Sequence, residues 1–234
     1  MAQQYFDTIL PNQDLTSNLF KGKKDDYMKS LYNLISDFSS EINFKKFKLN
    51  KHDRVNFEEM STPPAQLALL KFLIGMTNTK NFLEIGTFIG NTAMHVADFI
   101  GKEASVVTLE KFDEFAKLAK QNFKDNGLEN KITLYHGDAY DSMKLLNDGF
   151  FDFIYIDGDK GRYPEFSKLA EQKLSKNGLI LIDDVFFHGD VLNDKQDTNK
   201  GLGCKNVLEQ YKNNKKFHKY LMPINNGILL LKRI

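Results

Sequence analysis

Asn81-Phe-Leu-Glu-Ile-Gly-Thr-Phe-Ile-Gly-Asn-Thr92 reads as a buried strand that runs into a glycine-bearing turn and then a helix. Gly86 and Gly90 allow the backbone to turn tightly and to approach a ligand closely. A helix from Asn91 to Ile100 would point its free N–H groups at that ligand. A dinucleotide site asks for G-x-G-x-x-G, with amides crowded around a pyrophosphate. Here the turn is Gly-Thr-Phe-Ile-Gly, and Glu84 stands just before it. A carboxylate at that point repels a pyrophosphate and suits a cationic ligand. The sulfonium and amino group of S-adenosylmethionine meet that description.

Outward from this stretch, apolar runs alternate with helical spacing. Strands are predicted at Asn81 to Ile85, Ser105 to Leu109, Ile132 to His136, Phe151 to Ile156 and Leu179 to Ile182. Helices are predicted at Thr92 to Ile100, Phe112 to Asn126, Ser142 to Leu146 and Tyr163 to Leu174. This is the rhythm of a doubly wound, Rossmann-like parallel sheet, an α/β fold. Phe217 to Leu221 and Gly227 to Lys232 read as two further strands, with Asn226-Gly227 as the turn signal, so a hairpin brings an antiparallel strand into the sheet. Upstream, Ser61 or Thr62 is the expected N-cap of a helix running to about Met76, with Pro63 and Pro64 in its first turn and an apolar face of Leu67, Leu70, Phe72 and Leu73. Residues 1 to 55 are read as a helical extension, from the spacing of Tyr27, Leu31, Leu34, Ile35 and Phe38. The stretch from Asp190 to Gly203 is read as a surface loop or mobile flap.

The 234 residues predict one domain over the whole chain. With 32 basic and 31 acidic residues there is no strong field to draw the protein to nucleic acid or to an anionic membrane. The 20 phenylalanines and 41% hydrophobic content indicate an aromatic-rich core. The single cysteine, Cys204, excludes an intramolecular disulfide and fits a reducing cytoplasm. The first residues lack the pattern of a signal peptide, and no run is long enough for a membrane span.

In an open α/β sheet the ligand lies at the carboxyl ends of the strands. The polar residues found there are Glu84 and Gly86, then Glu110, Asp138 and Ala139, Asp157 to Lys160, and Asp183 with Asp184. Glu110 follows Gly86 by 24 residues, where an acid takes the ribose hydroxyls of a nucleoside. Asp138 and Ala139 either hold an adenine or cap the next helix. Asp157, Asp183 and Asp184 would repel one another unless a proton or cation is shared, and a hard divalent ion takes carboxylate oxygens. A structural alternative is that one of the paired aspartates caps the next element. Lys160 follows Asp157 by three residues, as a cation beside that ion or as an ordinary surface lysine.

Glu84-Ile-Gly-Thr-Phe-Ile-Gly90, Ile156-Asp-Gly-Asp-Lys-Gly-Arg-Tyr163 and Leu181-Ile-Asp-Asp-Val-Phe-Phe-His-Gly189 resemble the cation-dependent O-methyltransferases typified by the catechol and caffeoyl-coenzyme A enzymes. The resemblance runs from about Met60 to the end, where Asn226-Gly-Ile-Leu-Leu-Leu-Lys-Arg-Ile234 is similar to the family's closing strand. It implies a seven-stranded class I methyltransferase sheet, S-adenosylmethionine as methyl donor, and a divalent cation that chelates two neighbouring substrate oxygens. It further implies cofactor contacts at Thr62, Glu84, Gly86, Thr87, Thr92, Glu110, Asp138, Ala139, Asp157 and Asp159, with Met60 near the sulfonium. Asp157, Asp183 and Asp184 would be the metal ligands and Lys160 the base.

The chain departs from the family at two places. Asp183-Asp184 stands where the family has Asp-Asn, which adds a negative charge; the cation implied is Mg²⁺, with Mn²⁺ or Ca²⁺ as the alternatives. His188 stands where plant members carry an asparagine near the acceptor, which makes it a candidate substrate contact. The resulting expectation is an O-methyltransferase for a small catechol-like acceptor, as a homodimer. Alternatives are a hydroxylated base in RNA as acceptor, with Lys45, Lys46, Lys48 and Lys51 as a phosphate-binding stripe, a nicotinamide-dependent dehydrogenase, and a binding protein without turnover.

Overall fold

The computed structural model describes residues 30, 33–35, 37–38, 42–43 and 45–234. The chain divides into two compact units, Met1–Asn43 and Phe44–Ile234. In the first, residues 30, 33–35 and 37–38 are helical, so Leu34, Ile35 and Phe38 match the helical reading. Tyr27 and Leu31, which also carried it, lie outside the described residues.

The second unit is built on one seven-stranded sheet. Its strands are β1 (Asn81–Ile85), β2 (Ser105–Glu110), β3 (Ile132–His136), β4 (Phe151–Ile156), β5 (Leu174–Ile182), β6 (Phe217–Met222) and β7 (Ile228–Arg233). The order across the sheet is β3-β2-β1-β4-β5-β7-β6. The first five strands pair in parallel, and β7 pairs antiparallel with both β5 and β6. The hairpin therefore slots its return strand inside the sheet and leaves β6 at the edge. Phe82, Leu83, Ile154, Ile156, Ile180 and Ile182 are completely or almost completely buried, as strands covered on both faces require.

The helices are α1 (Phe57–Met60), α2 (Pro64–Thr77), α3 (Asn91–Phe99), α4 (Asp113–Asp125), α5 (Ala139–Lys144), α6 (Tyr163–Lys173) and α7 (Asn199–Lys212). Among the described residues no helix is long and apolar enough to cross a membrane.

Four expectations are corrected. Residues 45–55 hold no helix. Their backbone is taken up by α4 instead: Asn122 Oδ1 accepts from Asn50 N at 2.7 Å, and Asn126 accepts from Lys48 N at 3.0 Å while donating to Lys48 O at 2.8 Å. Two asparagines one helical turn apart thus hold an extended strap. Neither Ser61 nor Thr62 caps α2, whose N-cap is Pro63 without a side-chain bond, because Thr62 turns its hydroxyl inward to Thr92 and Tyr155. Of the apolar face assigned to that helix, Phe72 is 65% exposed.

The fourth correction concerns Asp190 to Gly203. The Asp190 carboxylate accepts from Asp197 N at 2.8 Å, Thr198 Oγ1 at 2.8 Å, Thr198 N at 3.2 Å and Asn193 Nδ2 at 3.3 Å. The loop is thereby closed on itself, and α7 starts at Asn199, capped by Thr198. Gly201 and Gly203 lie inside α7 and serve close packing: a Cβ on Gly203 would lie 2.2 Å from Lys160 O.

Candidate active site

Glu84, Glu110, Asp157, Asp183 and Asp184 lie on β1, β2, β4 or β5, inner strands of the sheet, or in the turn just after them, whereas Asp138 follows the edge strand β3. Gly86 follows β1 at φ +101°, and a Cβ there would lie 2.4 Å from Asp157 O, so only glycine lets this turn cross the end of β4. Gly90, at φ +89°, would meet the Phe123 ring at 2.3 Å. Close packing against α4 therefore calls for glycine here as well.

Glu110 organises the turn from the neighbouring strand. Its two carboxylate oxygens accept from Phe88 N and Phe112 N, each at 2.8 Å, and Phe88 is held at φ 51°, in the left-handed region. Burial raises the Glu110 carboxyl, and these backbone N–H groups oppose the rise. Glu84 is 1% exposed and accepts from Thr108 Oγ1 at 2.5 Å. Burial holds it well above the ordinary carboxylate range against that hydrogen bond, and the charges of Asp157 and Glu110 add to the rise. Thr87 turns its side chain down to Thr108, at 2.5 Å, so only its backbone faces the turn.

The acids at the ends of β4 and β5 form the second half of the site. Lys160 Nζ lies 2.9 Å from Asp184 Oδ2 and 3.3 Å from Asp157 Oδ1. Asp183 Oδ2 accepts from Tyr155 OH at 2.8 Å and Gln66 Nε2 at 2.5 Å, while Oδ1 accepts from Asp184 N at 2.8 Å. Burial, then the charges of Asp157 and Asp184, push the Asp183 carboxyl up to about 8. Burial also raises Asp157, against the attraction of Lys160. Burial lowers Lys160, but Asp157 and Asp184 outweigh it and leave the ammonium held above the ordinary lysine range.

Among the described residues no three acidic, histidine or cysteine side chains close into a metal-ligand set as they stand. An ammonium bridges two of the three carboxylates, and Tyr155 and Gln66 hold the third. That ammonium stands in for a cation, and the donors around it are carboxylate oxygens of the hard type that Mg²⁺, Mn²⁺ and Ca²⁺ take. In donor type the residues fit such an ion.

The remaining candidates are less engaged with this cluster. Asp138 caps α5 through Tyr140 N at 3.0 Å and pairs with Arg162 at 2.5 Å, which lowers its pKa. Ala139 is the first residue of α5. Asp159 is exposed and caps the Lys160–Arg162 turn through Gly161 N at 3.2 Å. Met60 ends α1 and is 52% exposed. His188 is exposed at φ 54° and donates its N–H to Asn226 Oδ1 at 2.7 Å. Of the lysine stripe, Lys46 pairs with Asp98 and Lys51 with Glu58.

Tyr155, Gln66 and Asn225 are site residues that the sequence reading passed over. Gln66 carries a faint signal, as the one polar residue among the buried positions of α2; Tyr155 is one aromatic among others in a buried strand. A separate groove of about 970 Å³, lined by Glu165, Lys168, Phe217 and Arg233, lies where β6 begins and β7 ends, away from these acids.

Comparison with known proteins now decides the family. The model of the O-methyltransferase family matches residues 37–234. The chain belongs to the O-methyltransferase family. Probable caffeoyl-CoA O-methyltransferase 2 of Dictyostelium discoideum is 29% identical over 218 residues, covering 90% of this O-methyltransferase and 94% of the relative. Catechol O-methyltransferase of Niastella koreensis is 34% identical over 139 residues, 58% and 62% of the two chains. In fold, the Bacillus cereus O-methyltransferase in complex with SAH matches with a TM-score of 0.71 at 20% identity, covering 100% of this chain and 97% of that one. TomG of Streptomyces achromogenes, solved with SAM, matches with a TM-score of 0.74 at 19% identity over 86% and 96%.

Proposed function

We propose that this O-methyltransferase moves the methyl group of S-adenosylmethionine to one hydroxyl of a small, catechol-like acceptor with vicinal hydroxyls, with the help of a divalent cation. The observation that carries the reading is the Lys160 ammonium held between Asp157 and Asp184, beside Asp183 and next to the Gly86 turn. A cluster that takes up a cation thus adjoins the turn read as the cofactor site. The named substrates of the caffeoyl-CoA and catechol relatives support an acceptor with neighbouring oxygens.

In this reading Glu110 accepts from the ribose hydroxyls with the lone pairs left over from Phe88 and Phe112. Glu84 favours the positively charged end of the donor, and Thr62, Thr87 and Thr92 line its approach, so that the methyl is held at near-attack distance. A divalent ion, when bound by Asp157, Asp183 and Asp184, supplies Lewis-acid stabilisation of the charge that develops on the acceptor oxygen. Lys160 carries its proton in the arrangement described. With a cation on Asp157 and Asp184 the attraction that holds this proton would be offset, and Lys160 would be the base.

His188, exposed in the segment after β5, is proposed to contact the acceptor. The exposed Phe72 and Met76 on α2 support a homodimer, and the buried free thiol of Cys204 supports a reducing compartment. Pairing of Lys46 and Lys51 with acids favours a small molecule over RNA. The test compares catechol with its 1,3-isomer resorcinol, using labelled S-adenosylmethionine and Mg²⁺. Methyl transfer to catechol and not to resorcinol is expected; equal transfer to both, or transfer to bulk tRNA alone, would overturn the vicinal-hydroxyl reading.

A further inference from the structure

Three hydroxyls form a chain between the two halves of the site. Thr92 Oγ1, on α3 directly after the Gly86–Gly90 turn, donates to Thr62 Oγ1 at 2.8 Å. Thr62 Oγ1 lies 3.3 Å from Tyr155 OH, and Tyr155 OH donates to Asp183 Oδ2 at 2.8 Å. Each hydroxyl has one proton to give. Since the proton of Tyr155 goes to Asp183, Thr62 is the donor to Tyr155, and the chain runs one way from the turn to the carboxylate. Gln66 reinforces it: its Nε2 lies 2.9 Å from Tyr155 OH and 2.5 Å from Asp183 Oδ2. Asn225 donates to Gln66 Oε1 at 2.7 Å, which fixes the amide with its nitrogen towards Asp183. Thr62, Gln66, Thr92 and Tyr155 are all buried, and Asp183 is 5% exposed.

We infer that Tyr155, with Gln66, is a positioning residue that couples the nucleoside-cofactor turn to the cation site through Asp183. The inference rests on the cation reading above and deepens it. Two donors occupy Asp183 Oδ2, and Asp184 N occupies one of the two lone pairs of Oδ1. A carboxylate has about four acceptor positions, so the one left is on Oδ1. Tyr155 and Gln66 thereby choose the oxygen that faces a cation and hold the carboxylate plane in place. At the other end, Thr92 Oγ1 keeps acceptor capacity. A cofactor ammonium donating to it polarises each hydroxyl in turn, and the ordering reaches Asp183. The coupling is reciprocal, so a bound cation must tighten the cofactor by the same factor.

The test measures Mn²⁺ affinity by electron paramagnetic resonance, with and without saturating S-adenosylhomocysteine, for the wild type, Tyr155→Phe and Gln66→Met. Tyr155→Phe keeps the ring and removes only the hydroxyl; Gln66→Met is the second variant should the first fail to fold. In the wild type S-adenosylhomocysteine is expected to tighten Mn²⁺ by about fivefold or more, the lower end of typical coupling. In either variant that ratio should fall to within about twofold of unity. A folded variant with the wild-type ratio would overturn the relay and leave the cation reading standing. A wild type that binds S-adenosylhomocysteine but no Mn²⁺ would overturn the cation reading, and the relay with it.

Discussion

Replacing Glu110 separates two jobs that the carboxylate does at once. Its oxygens accept from the part-buried N–H groups of Phe88 and Phe112, both at 2.8 Å, and one of these pins a non-glycine residue at φ 51°. Glu110→Ala orphans both donors, and each unsatisfied buried amide costs about 1–3 kcal/mol. With a shift of about 2–4 °C per kcal/mol for a domain of this size, two part-buried donors at the lower end of that range, about 2 kcal/mol together, should lower the melting temperature by roughly 4 to 8 °C. The ribose contact adds a separate loss on binding. A hydrogen bond to a charged group contributes about 1.5–3 kcal/mol, so S-adenosylhomocysteine should bind at least about tenfold more weakly.

Glu110→Gln is the informative companion, because a carboxamide has one acceptor oxygen for two N–H partners and should lose about half the thermal shift. Differential scanning calorimetry reads the first effect and titration calorimetry, well below the melting point, reads the second. A Glu110→Ala protein with wild-type melting temperature would refute its role in anchoring the turn. Wild-type affinity in a folded variant would refute the ribose assignment.

Gly203→Ala would set a Cβ 2.2 Å from Lys160 O and 2.7 Å from Gly161 Cα; overpacking against backbone costs about 1–3 kcal/mol, so chemical denaturation should show that loss together with reduced methyl transfer. The Asp183 carboxyl, pushed up to about 8, lies above its unfolded value, so the folded state binds its proton more tightly. Its contribution to stability is complete below about pH 4 and is lost as pH rises through about 8. Melting of the chelator-treated protein should therefore weaken over that window, with a shallower slope in Asp183→Asn. Asp184→Asn removes one of the two partners of Lys160, and the variant should keep activity while shifting the preferred cation or its affinity in metal titrations.

The strands were legible because fully covered parallel strands are short apolar runs that end in polar residues, and Asn81–Ile85 and Phe151–Ile156 have the boundaries read from the sequence. The acid positions followed from the same rule, since whatever stands just after such a run lies at the ligand end of the sheet. The strap at 45–55 was not legible. Its conformation comes from hydrogen bonds to Asn122 and Asn126, more than 70 residues away in sequence, which no local periodicity encodes. The start of α7 was hidden for a related reason. Gly201 and Gly203 have poor helix propensity, and their helix is kept by the Thr198 cap and by close packing on Asp190 and the Lys160 turn. Tyr155 was invisible as a site residue because its ring fills the sheet like its apolar neighbours, while only its hydroxyl reaches Asp183.

The central claim is that methyl transfer depends on a cation held by Asp157, Asp183 and Asp184. The most direct measurement is transfer of labelled methyl from S-adenosylmethionine to catechol by protein treated with EDTA, then resupplied with Mg²⁺ or Mn²⁺, alongside metal analysis of the purified protein. Activity should vanish with the chelator, return with either ion, and stay absent in Asp183→Ala, which should still bind S-adenosylhomocysteine. Full turnover in EDTA by protein that contains no metal would contradict the account and return the three aspartates to a structural role.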